Sequence, residues 1–154
     1  MHYRFDASSG MFGWSDDSIG LLGACWDPRY SRDGYCRCRF LIDDLEHEAE
    51  YGEVRHVGIA TLIAQEPAPI DHPPHVTGLV GLYIFENERA RGYGRRAVEA
   101  LLRMVEHDVE IHDIAEEAIG FWLKVGVTRL RTEHQTTWGL IPASHLIQMT
   151  TNSP

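Results

Sequence analysis

Basic residues are in deficit: 14 Lys and Arg stand against 23 Asp and Glu, a formal net charge of −9. That balance argues against a protein held on nucleic acid by phosphate contacts, so no nucleic-acid partner is expected. It tilts weakly toward a cationic acceptor. Cysteine is scarce. Cys25, Cys36 and Cys38 are odd in number and irregular in spacing, which excludes a disulfide framework. They read as reduced thiols, with Cys36 and Cys38 on one face of a strand. The histidines are scattered, no H-x-x-x-H lies on a helix, and the cysteines have no further ligands at a metal spacing, so no metal is expected. No apolar run approaches the ~20 residues of a membrane span. The opening MHYRFDASSG has no signal-peptide core. The expectation is a cytoplasmic protein away from membranes. Internal repeats and low-complexity segments are also missing.

What is there suffices for one domain. A chain of 154 residues can bury roughly 68–70% of its unfolded surface without staples. The expectation is a single domain over 1–150 with a frayed tail at 151–154. His2 to Asp6 reads as a strand. Ser15 to Ser18 before Ile19, Leu21 and Leu22 reads as a helix start, which Gly20 and Gly23 weaken. Tyr35 to Ile42 and Val54 to Ala64 alternate as strands, with an acidic turn or short helix between them over Asp43 to Gly52. Gln65 to His75 holds four prolines and must be a loop. Thr77 to Phe85 reads as a buried strand, apolar on both faces. Gly94 to His107 carries Ala97, Val98, Leu101, Leu102 and Val105 on one helical stripe. Val109 to Asp113 fits a short strand. Ile114 to Val125 fits a second helix burying Ile114, Ala118, Phe121, Trp122 and Val125, ended by Gly126. Val127 to Thr132 and Thr136 to Ile141 close the chain as strands. This order predicts a mixed α/β (α+β) domain with one central sheet.

The chemistry concentrates in VTGLVGLYIFENERARGYGRRAVEALLRM, Val76 to Met104. A strand feeds a glycine-rich loop at a helix N-terminus, where backbone N–H groups and the helix dipole favour an anion. Gly92 and Gly94 let the chain turn without a Cβ and let phosphate oxygens approach the amides. Arg89, Arg91, Arg95 and Arg96 surround that loop in an otherwise acidic chain. Gly92 to Ala97 nominally satisfies G-x-G-x-x-G/A, and Asp113 follows Gly92 by 21 residues, the dinucleotide fingerprint. Against NAD stand the six residues Glu86 to Arg91 between strand and first glycine. The 41 residues after Asp113 are too few for the rest of a doubly wound sheet.

Arg89-Ala90-Arg91-Gly92-Tyr93-Gly94 also matches Q/R-x-x-G-x-G/A, and here the chain resembles the GNAT family, the GCN5-related N-acetyltransferases. A second segment supports it: Ala118-Ile119-Gly120-Phe121-Trp122-Leu123-Lys124-Val125-Gly126-Val127 is similar to the family's A-x-x-L/F-Y-x-K-x-G-F. Together the two cover about residues 76 to 132. The resemblance implies a GNAT-like domain, a central mostly antiparallel sheet flanked by helices, with acetyl-CoA as co-substrate and no metal. It implies that the amides of Arg89, Ala90, Arg91, Gly92, Tyr93, Gly94, Arg95 and Arg96 wrap the pyrophosphate. The pantetheine would lie along Leu82 to Phe85, hence Tyr83, Ile84 and Phe85. It would enter between that strand and Val109 to Asp113, with Trp122 packing nearby or lining the thiol tunnel. A homodimer is common among look-alikes.

N-acetyl transfer needs a neutral amine, a donor for the tetrahedral oxyanion and a proton for the leaving thiolate. The sequence departs from the family pattern where these matter. Trp122 stands at the usual tyrosine, and an indole N–H donates a hydrogen bond but is no acid at neutral pH. Ala115 stands where many members carry asparagine, and Val127 replaces the last aromatic. Tyr83, His112 and Glu110 are the replacement candidates, with Glu86 at the loop's beginning. Each also has a blander reading: a half-buried strand aromatic for Tyr83, a surface histidine for His112, solvated charges for the glutamates. Transfer to a primary amine is the favoured function. A catalytically silent acyl-CoA-binding module and an NAD-binding protein are the alternatives. The acceptor, small molecule or protein, is not legible.

Overall fold

In the computed structural model the described residues are 2–6, 8, 11–25, 35–65, 76–103, 105 and 107–143. Among them a nine-stranded sheet carries the fold. Its strands are β1 (His2–Asp6), β2 (Met11–Ser15), β3 (Ile19–Cys25), β4 (Tyr35–Asp44), β5 (His56–Gln65), β6 (Val76–Ile84), β7 (Val109–Ile111), β8 (Thr128–Glu133) and β9 (Thr136–Ile141). The spatial order is β1-β2-β3-β4-β5-β6-β7-β9-β8. Every neighbouring pair is antiparallel except β6–β7. One parallel pair inside an antiparallel sheet is not the doubly wound parallel sheet that an NAD site requires.

Three α-helices accompany the sheet among the described residues: α1 (Leu45–Tyr51), α2 (Tyr93–Leu102) and α3 (Ile119–Lys124). The helix α2 buries Ala97, Val98, Leu101 and Leu102, the stripe read from the sequence, with Val105 buried just beyond it. It ends at Leu102 rather than His107. One face of the sheet carries Cys38, Phe40, Ile42, Ala60, Leu62 and Leu79, all buried. Phe40, Phe12 and Trp14 stack edge to face or tilted at 5.4 to 6.1 Å, a geometry that adds to the area they bury.

Three expectations are corrected. Ser15 to Ser18 starts no helix: Met11–Ser15 is a strand, and Asp16 turns the chain into β3 by accepting from the backbone N–H of Ser18 (2.8 Å) and Ile19 (2.7 Å). An Asp before two N–H groups is the same chemistry as a helix cap, so a local reading cannot tell them apart. The second helix begins late, at Ile119 after a 3-10 turn at Glu116–Ala118: Asp113 (φ 50) and Ala115 (ψ 143) are not helical, and the Ile114 N–H donates to the Thr137 carbonyl. Its end is as expected: Gly126 (φ 112) donates to Leu123 and Val127 to Trp122, the two bonds of a Schellman cap. Finally, β6 is not apolar on both faces. Leu79 is buried, but Gly81 and Tyr83 are open to solvent. The proline-rich stretch from 66 to 75 and the tail at 151–154 lie outside the described residues.

Candidate functional site

The site grows from a mismatch of strand lengths. The parallel ladder joins only Gly78 to Glu110 and Leu79 to Ile111, with His112 N–H donating to the Leu79 carbonyl (2.9 Å). There β7 stops while β6 runs on to Ile84. Register with β5 shifts beside Gly81, so one extra residue, Val80, bends β6 at the same point. Phe85 N–H donates to Val57. In an antiparallel ladder that phase directs alternate residues, Tyr83 among them, toward β5. It turns the backbone groups of Leu82 and Ile84 the other way, toward the gap beyond β7. The Arg89 Nε donating to the Ile84 carbonyl (2.9 Å) fits that direction.

The glycine loop closes one end of the gap. Gly92 is the residue before α2 and sits at φ 79, with nothing within 4 Å of where a Cβ would be. Ala90 also has positive φ, 64, a strained choice for a residue with a Cβ. No side chain caps α2 and its first turn holds no acid, so its leading N–H groups face outward unpaired within the helix. A Cβ on Gly94 would stand 3.5 Å from the Phe121 ring and 3.6 Å from Ile84, which fixes how near α3 and β6 come to the helix start.

The arginines are distributed rather than pooled. Arg89 lies 5.2 Å over the Tyr83 ring and Arg91 stands 3.6 Å from Glu88. Arg95 pairs with Glu99 one turn along. Arg96 turns away, to the Ser18 carbonyl (3.3 Å) and Glu46 (3.7 Å). The Tyr93 side chain likewise points into the core, where its hydroxyl donates to Asp44. Burial pushes the Asp44 carboxyl up, but the Tyr93 hydroxyl, the His47 N–H and the Arg96 guanidinium outweigh it and hold the group below the usual carboxylate range. Burial and the Asp44 carboxylate raise the Tyr93 phenol. Glu88 is gripped by Arg55 through both oxygens at 2.7 Å. Asp44 at the end of β4 and Arg55 just before β5 brace the loop, and sequence reading missed both. The pairs span 49 and 33 residues, beyond any local pattern.

Over the sheet face, along the row in which Ile63, Gly78, Glu110 and Leu140 pair, lies a cavity of about 460 Å³. Gly78, His107, Asp108, Glu110 and His112 contribute its polar and small lining. Glu110 and His112 meet, Oε2 to Nε2 at 3.1 Å. Of the three catalytic candidates, then, the fold brings these two together, while the contacts of Tyr83 are to Arg89 and Phe85. Trp122 is buried with its ring edge-on to Phe121 at 5.1 Å. Trp138 stacks on His112 at 6.5 Å, a neighbour that the sequence reading did not single out.

An outward-facing amide loop at a helix start, set beside two splayed parallel strands, is an arrangement suited to an extended phosphorylated ligand. The profile of the Acetyltransferase (GNAT) family matches residues 7–127, and the chain belongs to that family. It is an acetyltransferase that takes acetyl-CoA as acyl donor. Solved structures repeat the fold at low identity. A mutant of the toxin AtaT, bound to the C-terminus of the antitoxin AtaR and acetyl-CoA, is 16% identical with TM-score 0.56, over 75% of this chain and 74% of that one. The KacTA–DNA complex is 17% identical with TM-score 0.54, over 81% and 78%. A mutant AtaT toxin alone is 17% identical with TM-score 0.56, over 90% and 96%. No curated protein matches in sequence. Among the described residues no helix is long and apolar enough to cross a membrane.

Proposed function

We propose that the chain transfers the acetyl group to a primary amine by direct attack within a ternary complex. The observation that carries this reading is the break in the β6–β7 ladder with Glu110 and His112 paired at its edge. Pyrophosphate sits on the α2 amides, the pantetheine pairs with the open backbone of Leu82 and the Ile84 N–H, and the thioester reaches the break. The amine enters from the 460 Å³ cavity. His112 takes the ammonium proton, directly or through one water, and Glu110 orients the imidazole. The neutral nitrogen attacks the thioester carbonyl, and a β6 backbone N–H stabilises the oxyanion. Carbon–sulfur cleavage then releases CoA thiolate, and the nitrogen gives up its second proton to solvent, leaving the neutral amide. Trp122 supplies no proton, and Tyr83 stands by the loop rather than by His112, so the thiolate leaves without a side-chain acid from either.

Calorimetric titration with acetyl-CoA, CoA and NAD, repeated on Gly92→Glu, tests the donor site. Acetyl-CoA and CoA are expected to bind, NAD not, and the variant to lose both. A free-thiol assay over an amine panel then tests transfer. His112→Ala is expected to lower kcat by about 10²–10⁴ without moving acetyl-CoA affinity, the range for one general base. Unchanged kcat removes His112 from the chemistry, and binding without thiol release on any amine leaves a binding module.

A further inference from the structure

A second pocket adjoins the first. It measures about 290 Å³ and is lined by Glu110, Arg129, Arg131, Trp138, Gly139 and Leu140. Glu110 and Leu140 line both pockets, so the two form one continuous surface with different chemistry at each end. One end holds Asp108, Glu110 and His112. The other holds two guanidinium groups.

The arginine end is built rather than incidental. Register between β8 and β9 runs from Thr128–Leu140 to Arg131–Trp138, so two residues, Arg129 and Leu130, oppose Gly139 alone. This is a β-bulge, a device that re-aims side chains and recurs beside active sites. Arg129 holds it in the left-handed region at φ 53, a conformation that disfavours any residue with a Cβ. Gly139 is required opposite, since a Cβ there would fall 2.4 Å from Val127 Cγ1. Arg131 lies flat on Trp138, its guanidinium carbon 3.5 Å from the ring centroid, and the same ring stacks on His112. Neither arginine forms a salt bridge among the described residues, in a chain of net charge −9 where Arg55, Arg91, Arg95, Arg96 and Arg103 all do. A planar guanidinium held on an aromatic face keeps its N–H edge free for an oxyanion.

We propose that this pocket is an anion subsite, and that the acceptor is a primary amine carrying a carboxylate or phosphate, its nitrogen at Glu110–His112 and its anion at Arg129 and Arg131. The proposal rests on the amine-transfer reading above for its orientation, but not for its test. Binding is read first, on the protein saturated with CoA, with two matched pairs of probes: L-phenylalanine against phenethylamine, and O-phosphoethanolamine against ethanolamine. At least one oxyanion-bearing member is expected to bind tenfold or more tightly than the partner amine that lacks the oxyanion, and the pair that does so identifies carboxylate or phosphate. Arg131→Met and Arg129→Gly, the latter keeping the left-handed bulge, are expected to abolish that preference, while Arg131→Lys restores part of it. Acetyl-CoA affinity, read on the same variants without CoA, stays unchanged. Equal binding within both pairs, no binding by any probe, or a preference that survives both variants overturns the proposal. If the preference holds but no amine is acetylated, the transfer reading fails and the subsite stands.

Discussion

Replacing Tyr93 by Phe removes one oxygen from the brace beneath the glycine loop. Asp44 is 8% exposed and keeps the His47 N–H at 3.0 Å, but it loses the donor arriving from α2. A hydrogen bond to a charged acceptor contributes about 1.5–3 kcal/mol, and water reaches so buried an oxygen poorly. A loss of about 2 kcal/mol is expected, which for a domain of this size lowers Tm by ~4–8 °C. The sign of the pH dependence is fixed by Asp44. Its folded pKa lies below the unfolded value, so its stabilisation is present above the unfolded carboxyl range and lost as pH falls through the folded pKa. Without the hydroxyl, burial is less opposed and that pKa rises. The gap between wild type and variant is therefore widest above about pH 5 and narrows toward pH 3, given an unfolded Asp near 3.9. The raised Tyr93 pKa adds an alkaline limb: its stabilisation is complete below about pH 10 and lost as pH rises through the folded value, and the variant lacks that loss. Thermal melts from pH 3 to 11 read the effect on stability. Calorimetry with acetyl-CoA reads the effect on the loop, where affinity is expected to weaken because Tyr93 opens α2. A variant within about 0.5 kcal/mol of wild type at pH 7, or a deficit independent of pH, would refute the brace.

Two further substitutions probe the packing around the site. Gly139→Ala drives a methyl to 2.4 Å from Val127 Cγ1 and 3.2 Å from the Thr128 carbonyl, so a loss of about 1–3 kcal/mol is expected in denaturant unfolding; a neutral result would mean that β8 is free to move. Trp122→Ala empties a buried aromatic site under α3 and is expected to cost about 3–5 kcal/mol, whereas Trp122→Tyr costs less and yields no gain in kcat; a faster Tyr variant would identify this position as a lost acid.

The parts of the site that local sequence made legible share one property: each is contiguous in the chain. The strand, the loop with Gly92 at φ 79 and the apolar stripe of α2 all lie within 76–102. The bounds of β9 match residue for residue, because the neighbouring His134 and Gln135 turn leaves no other start. What stayed hidden needed the fold. Tyr93 reads from sequence as a loop residue near a phosphate, yet its ring belongs to the core because Asp44, 49 residues earlier, ends β4 beneath it. Four arginines in eight residues read as one cationic cluster. A helix start turns its side chains outward in different directions, and acids from three separate segments claim three of them. The consequence runs opposite for β8. Its pattern TRLRTE is exposed throughout and looks like an ordinary edge strand. Only the register against β9 shows that one residue too many sits between Thr128 and Arg131, and that this excess places two guanidinium groups beside the Glu110–His112 pair. The charge that composition assigns to the whole chain therefore says little about this one surface. A surplus of acid favours a cation on average, but the surface formed by the two pockets presents both signs, and the acceptor proposed above is one that carries both.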